Sequence, residues 1–259
     1  MSRLLNKEIK YLRGKLNEIS YSTERFKVYF GEEKILMGMV SPKDEKTKLS
    51  KFMKYRTIYD TLIDLDWKIK LSFEKGIEYA YSKELQENFH IIGMVSTEEK
   101  LAYYYIENAL FRTSILWDLL AQLYCLFYDI NIPNDEVYYN KLFKKNSRYY
   151  KDYKILEIEK SEEFNRKVNN ISKYLSQEDN IEGEMVWKGD HKYINECRNK
   201  MTHRNSPNVN AMSDFDLNFK DSPDFMLKRI IDDYNVASKY IKEILDRIEE
   251  EYRFMSSTK

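Results

Sequence analysis

Between Ser96 and Pro133 the chain reads STEEKLAYYYIENALFRTSILWDLLAQLYCLFYDINIP. Ser96 and Glu99 stand three apart, the spacing of a capping box in which the serine oxygen accepts an amide of the first turn and the glutamate reaches back. No glycine or proline interrupts the run until Pro133. The spacing therefore predicts one helix of about 32 residues, roughly 48 Å long at 1.5 Å per residue. Its apolar positions are too many for one stripe, so other helices must surround it. An all-α bundle is the expected fold.

The flanks fit that expectation. From Ser2 to Phe30, Leu4, Leu5, Ile9, Leu12, Leu16, Ile19, Phe26 and Phe30 recur mostly at three- and four-residue steps, predicting a helix with Gly14 as a point of interruption. Gly31 to Ser50 gathers Gly31, Gly38, Pro42 and the run KDEKTK, where a loop or short hairpin is expected. Periodicity resumes from Leu49 to Phe89 as a second long helix, closed by His90-Ile91-Ile92-Gly93. Beyond Pro133, shorter helices are expected over 135–146 and 161–175. Gly183 and Gly189 bracket the start of another that ends near His203, and Ser222-Pro223 opens the last one. Its stripe is Leu227, Ile230, Tyr234, Ala237, Ile241, Ile244 and Ile248. The organisation read from this pattern is an N-terminal helical extension over 1–93, followed by a helical bundle over 94–259.

Composition narrows the function. With 43 basic and 43 acidic residues in 259, no net charge selects partners, so any anion-binding surface must be local. Seven glycines and four prolines are too few for the turns of an all-β or βαβ fold. The glycines stand apart, so neither G-x-G-x-x-G nor G-x-x-x-x-G-K-[ST] occurs. Cys125 and Cys197 form no C-x-x-C, and His90, His191 and His203 have no H-x-x-x-H spacing, so neither metal nor cofactor is expected. The start, MSRLLNKEIKYLRGK, is charged and lacks a signal-peptide core. The most apolar run, Ile115 to Tyr128, is short and carries Asp118 and Gln122, so no membrane span is expected. These readings point to a reduced, cytoplasmic protein.

The stretch Glu196-Cys197-Arg198-Asn199-Lys200-Met201-Thr202-His203 carries the chemistry. At 100° per residue, Ile194, Cys197 and Met201 share the core side, Arg198 and Thr202 border it, and Asn199 and His203 lie opposite, four apart. The pattern R-N-x-x-x-H at the end of a late helix resembles that of the HEPN superfamily, and the segment NALFRTSILWDLLAQLYCLFYDI resembles the leading helices of its bacterial members. The likeness covers about 97–254 and leaves the first 93 residues unexplained.

The resemblance implies a HEPN-like bundle that cuts RNA without a metal: the ribose 2′-hydroxyl attacks the adjacent phosphate and leaves a cyclic phosphate. His203 would act as general acid or base, helped by its ordinary pKa near 6.5 and its place at a helix C-terminus. Arg198 would hold the phosphate and offset charge on its oxygens, and Asn199 would orient His203 or an RNA group. A homodimer, use as a toxin or in antiviral defence, and a restraining antitoxin or regulatory partner are further implications. The alternative is a non-catalytic module of the same type that binds RNA, nucleotide or a protein partner.

Three further groups enter the reading. Asp118 interrupts the apolar ILWDLLAQLY and needs a partner; either it or Glu107 positions Arg198, or it merely pairs with a cation to fix helix register. Arg112 is a phosphate contact or a structural partner. From Tyr138 to Lys154, Lys141, Lys144, Lys145, Arg148 and Lys151 alternate with tyrosines, a composition suited to single-stranded RNA as well as to a solvated face. His191, seven before Arg198, can share its face but is expected at the surface of a first turn.

Overall fold

The computed structural model describes residues 3–26, 29–30, 35–36, 48–180, 186–203, 206–213 and 216–256, with the side chain of His203 outside the described part. The chain is all-α. Its helices are α1 (Arg3–Asn17), α2 (Lys48–Ala80), α3 (Lys83–Asn88), α4 (Thr97–Phe127), α5 (Tyr139–Leu142), α6 (Tyr149–Asp152), α7 (Ser161–Leu175), α8 (Asp190–His203) and α9 (Pro223–Ser256). Three short antiparallel ribbons link them: β1 (Tyr29–Phe30) with β2 (Ile35–Leu36), β3 (Glu178–Asn180) with β4 (Val186–Lys188), and β5 (Ala211–Ser213) with β6 (Asp216–Asn218).

Helix α4 is the axis. The Ser96 hydroxyl accepts the Glu99 amide at 3.1 Å, and Glu98 and Glu99 place negative charge in the first turn, where the helix dipole favours it. The capping box is only half realised, because the Glu99 carboxylate is taken up by Lys220 in a fully buried ion pair. Helix α4 is buried on most of its circumference, by α2 on one side and α9 on another. The partner contacts give the directions. Tyr103 donates to the Asp221 carbonyl, Trp117 to Asp233, and Arg247 to the Tyr128 hydroxyl, so α4 and α9 run parallel. Helix α2 runs against both: Phe52 near its start packs on Tyr252, and Gly76 near its end lies against Ile106 and Leu227. Side chains from α1 to α9 thus share one apolar core. By length and composition α4 could cross a bilayer, in contrast to the expectation from its apolar run alone; 67% of its most apolar window is buried inside the bundle.

Three helix boundaries differ from expectation. Helix α1 stops at Asn17, whose side-chain amide donates to the Arg13 carbonyl, not at Phe30. Ile19 and Phe26 do reach the core, but from a loop: Phe26 has φ 57°, and Arg25 anchors that loop to Asp246 and Glu249 on α9. The helix predicted over 49–89 is broken at Ser82, whose hydroxyl caps a new start by accepting the Leu85 amide at 3.2 Å. The one predicted over 135–146 is instead a 3-10 turn at Asn134–Glu136 and the single turn α5, and Asn146 in the left-handed region (φ 68°) separates these from α6.

The start of α8 depends on a glycine. Gly189 donates its N–H to the Gln177 carbonyl at 2.9 Å, and a Cβ at 189 would lie 2.4 Å from that same oxygen. Backbone cannot yield as a side-chain tip can, so Gly189→Ala is expected to lower unfolding free energy by about 1–3 kcal/mol in urea denaturation. An unchanged midpoint would show that the approach relaxes freely.

Candidate functional site

The site is built where α4, α5, α7, α8 and α9 meet. Successive residues of α4 divide the work: Trp117 is buried, while Asp118, 100° around the helix, is half-buried. Helix α8 presents His191 and Arg198, seven residues and about two turns apart, on one face. Helix α7 contributes Tyr174, α9 contributes Asp233, and Tyr139 opens α5.

Asp233 is fully buried, and three donors converge on it. The Trp117 indole N–H reaches Oδ2 at 3.0 Å, the Tyr174 hydroxyl reaches Oδ1 at 3.0 Å, and His191 Nδ1 lies 3.2 Å from Oδ1. A buried carboxylate is tolerable only when its lone pairs are met in this way. The aromatic rings close the cage: Trp117 stacks on Tyr174 with centroids 5.8 Å apart and meets His191 edge-on at 5.0 Å. Desolvation, followed by the charge of Asp233, pushes the Tyr174 hydroxyl far above its ordinary pKa, so it stays a donor. On the other side of the imidazole, His191 Nε2 lies 3.1 Å from the Tyr139 hydroxyl.

Tyr139 joins this buried cage to Asp118. Its backbone N–H donates to Asp118 Oδ1 at 3.3 Å, and its hydroxyl lies in the field of both Arg198 and Asp118. Burial lifts the Asp118 carboxyl above its ordinary pKa; the Tyr139 N–H and the Arg198 charge pull it down without cancelling that rise. Asp118 is thus the carboxylate of the two on which the Arg198 charge acts. Glu107 turns elsewhere: burial raises its pKa too, but its partners are Asn208 and Ser206, so it fastens the loop that follows α8. Arg112 donates to the backbone and side-chain oxygens of Asn108 one turn back on its own helix.

The remaining candidates fall around this centre. Arg198 is half-buried and Asn199 exposed, as their angular positions on α8 require. Thr202 returns its hydroxyl to the Arg198 carbonyl at 3.0 Å. His203 ends α8, and its side chain lies outside the described residues. Lys141, Lys144, Lys145, Arg148 and Lys151 are all exposed on the segment that begins at Tyr139, and among the described residues none forms an ion pair with a carboxylate. Lys141 lies over the Tyr138 and Tyr149 rings, at 4.6 and 5.5 Å from their centroids. Among the described residues no three His, Cys, Asp or Glu side chains form a metal-ligating group.

His191 corrects the expectation of a surface residue, since it is 5% exposed and bonded through both ring nitrogens. Asp233, Tyr139, Trp117 and Tyr174 were not legible as site residues. The available signals were the seven-residue step from His191 to Arg198 and a carboxylate inside the apolar stripe of α9.

Three substitutions test the energetics. Asp233→Ala strands three buried donors and is expected to cost about 3–5 kcal/mol in urea denaturation, against about 1 kcal/mol for Tyr174→Phe, which removes one. Asp118→Asn keeps an acceptor for the Tyr139 N–H. Because the folded pKa of Asp118 is raised, the wild-type fold loses stability as pH rises from the unfolded value, near 4, through the folded one. The variant should therefore match or exceed wild type at about pH 7, by less than about 1 kcal/mol, with the advantage gone below about pH 4. A less stable variant at neutral pH would mean that the attraction to Arg198 outweighs desolvation.

The chain matches no protein-family model, no curated protein and no solved structure, so its function is argued from its residues and their geometry.

Proposed function

We propose that the chain is a HEPN-type endoribonuclease that cuts RNA without a metal ion. The observation that carries this reading is the setting of Arg198. It is a half-buried guanidinium whose charge acts on Asp118 and Tyr139, on the last turns of the helix that ends in His203. A planar fork of donors can grip two phosphate oxygens at once and offset the charge that grows on them during attack.

In the reaction, the ribose 2′-oxygen forms a bond to phosphorus and the bond from phosphorus to the 5′-oxygen breaks. The 2′-hydroxyl proton leaves to a base, and the departing 5′-oxygen receives a proton from an acid. His203 is the last residue of α8, and an imidazole, which titrates near neutrality when unperturbed, suits either role at the end of a helix dipole. Asn199, exposed on the same side of α8, would orient His203 or the RNA. The strand would run over Lys141, Lys144, Lys145, Arg148 and Lys151, with cations on phosphates and Tyr138 under a base. A homodimer would bring two such helix ends together, and an antitoxin or regulatory partner would restrain them.

Labelled RNA incubated with the protein in EDTA provides the test. Cleavage leaving cyclic-phosphate ends, reduced at least about 100-fold in Arg198→Ala and in His203→Ala, is expected. Cleavage unchanged in both variants would remove the site. Tight RNA binding with no cleavage would favour the non-catalytic module. Replacing Lys141, Lys144 and Lys145 together by Ala should weaken RNA binding and flatten its dependence on log salt by about 0.7 per lost phosphate contact. An unaltered slope would place the strand elsewhere.

A further inference from the structure

Helix α4 carries more apolar side chains than its neighbours cover. Ile106, Ala109, Leu110 and Trp117 turn into the core, yet Tyr104, Phe111 and Ile115 are 59%, 38% and 46% exposed. Together with the half-buried Leu101 and Asn108 they form one stripe that the described chain leaves open to solvent. Its members, Leu101, Tyr104, Asn108, Phe111 and Ile115, follow one another at alternating steps of three and four residues. That is the period of a helix that meets a second helix along a seam, with Leu101, Asn108 and Ile115 at a positions and Tyr104 and Phe111 at d positions.

We propose that this stripe is the contact surface for a second copy of the chain, with the two α4 helices side by side and parallel. The charges on its edges choose the occupant. Glu107 directly precedes Asn108 and Arg112 directly follows Phe111, so they stand at g and e positions five residues apart, the step at which parallel helices exchange charges. A two-fold axis along α4 therefore sets Glu107 of each copy beside Arg112 of the other. An antiparallel pair would set cation edge against cation edge. Both groups are half-buried, and among the described residues neither forms an ion pair: Arg112 donates to the oxygens of Asn108, and Glu107 takes the Asn208 amide. A carboxylate keeps lone pairs beyond one such bond. The seam residues agree with the charges, since a β-branched Ile115 at a favours two strands and a single polar Asn108 at a fixes register.

The pattern also sets where the seam stops. The next d and a positions, Asp118 and Gln122, are polar, and the two-fold axis would press Asp118 against its own copy, so the helices part after Ile115. From Leu101 to Ile115 the contact is about 21 Å long at 1.5 Å per residue, a short seam that suits a reversible dimer. Its edge is tied to the candidate site, because Glu107 also fastens Asn208 in the loop that follows α8. Parallel copies carry both of those loops at the same end of the dimer. What this does for cleavage rests on the ribonuclease reading; the seam itself does not.

Sedimentation equilibrium of the full chain should show a monomer–dimer equilibrium at micromolar concentration. Tyr104→Lys and Ile115→Lys, at exposed positions, should each raise the dissociation constant of the dimer at least about tenfold with far-UV circular dichroism unchanged. If one of them fails to fold, the other decides. Arg112→Glu should weaken the dimer more at low salt than at high salt. Cys125 and Cys197 are both buried, so new surface cysteines report cleanly. Asn108→Cys and Ile115→Cys should each form a disulfide with its own copy under mild oxidation, as only a parallel pair allows at both positions. A chain that stays monomeric overturns the proposal, as does a dimer unmoved by both lysine variants or by Arg112→Glu, or coupling at only one of the two cysteine positions. A monomer that loses RNA binding in Tyr104→Ala would overturn it too, making the stripe a nucleic-acid surface. Dimerisation through the seam without any RNA cleavage would remove the ribonuclease reading alone; cleavage by a monomer would remove the seam alone.

Discussion

One carboxylate without access to water ties the bundle to its site. Asp233 sits in the apolar stripe of α9 and receives the indole of α4, the phenol of α7 and the imidazole of α8. Helices that pack through apolar side chains alone can slide or rotate by small amounts, because dispersion contacts are many and individually weak. Three directional bonds on one buried anion remove that freedom, since each misplacement leaves a donor unpaired at a cost of about 1–3 kcal/mol. The register of α4, α7 and α8 around α9 is therefore fixed at the point where Asp118 and Arg198 reach the surface.

That rigidity would serve the proposed chemistry, because a guanidinium is useful to a phosphate only in a defined orientation. Arg198 is one and a half turns from the end of α8, in a region where a helix usually frays. Here its charge acts on Asp118 of α4, and the loop beyond α8 is fastened by Glu107 to Asn208. Asp118 carries a cost, as its raised pKa shows: burial opposes its charge more than Arg198 supports it. A charge that the fold alone would do without, and on which the one arginine of the motif acts, is where function is to be sought.

The balanced net charge hides a local imbalance. Many cations among the described residues are consumed by carboxylates, as in the pairs of Arg25 with Asp246 and Glu249, Lys70 with Asp66, and Lys220 with Glu99. The segment from Lys141 to Lys151 departs from that rule, and it begins two residues after Tyr139. Its single-turn helices hold their apolar residues Tyr139, Leu142, Phe143 and Tyr149 inward and leave the basic ones to solvent.

The amino-acid sequence by itself determined the helical class, the Ser96 cap, the two ends of α8 and the start of α9. Each of these is a local matter of periodicity, capping oxygens and the placement of glycine and proline. It also marked Arg198, Asn199 and His203, because their spacing is read along one helix. It misjudged the loop at 18–26, where Ile19 and Phe26 keep a helical spacing yet reach the core from irregular backbone, and it missed the Ser82 cap inside an apolar pattern. Only the tertiary structure decided that Asp118 takes the Tyr139 amide while Glu107 takes Asn208, and that His191 is buried between Asp233 and Tyr139. The Asp118 and His191 contacts join residues 21 to 52 positions apart, and which donor meets which acceptor across such distances is set by how helices cross, not by any local preference of the chain.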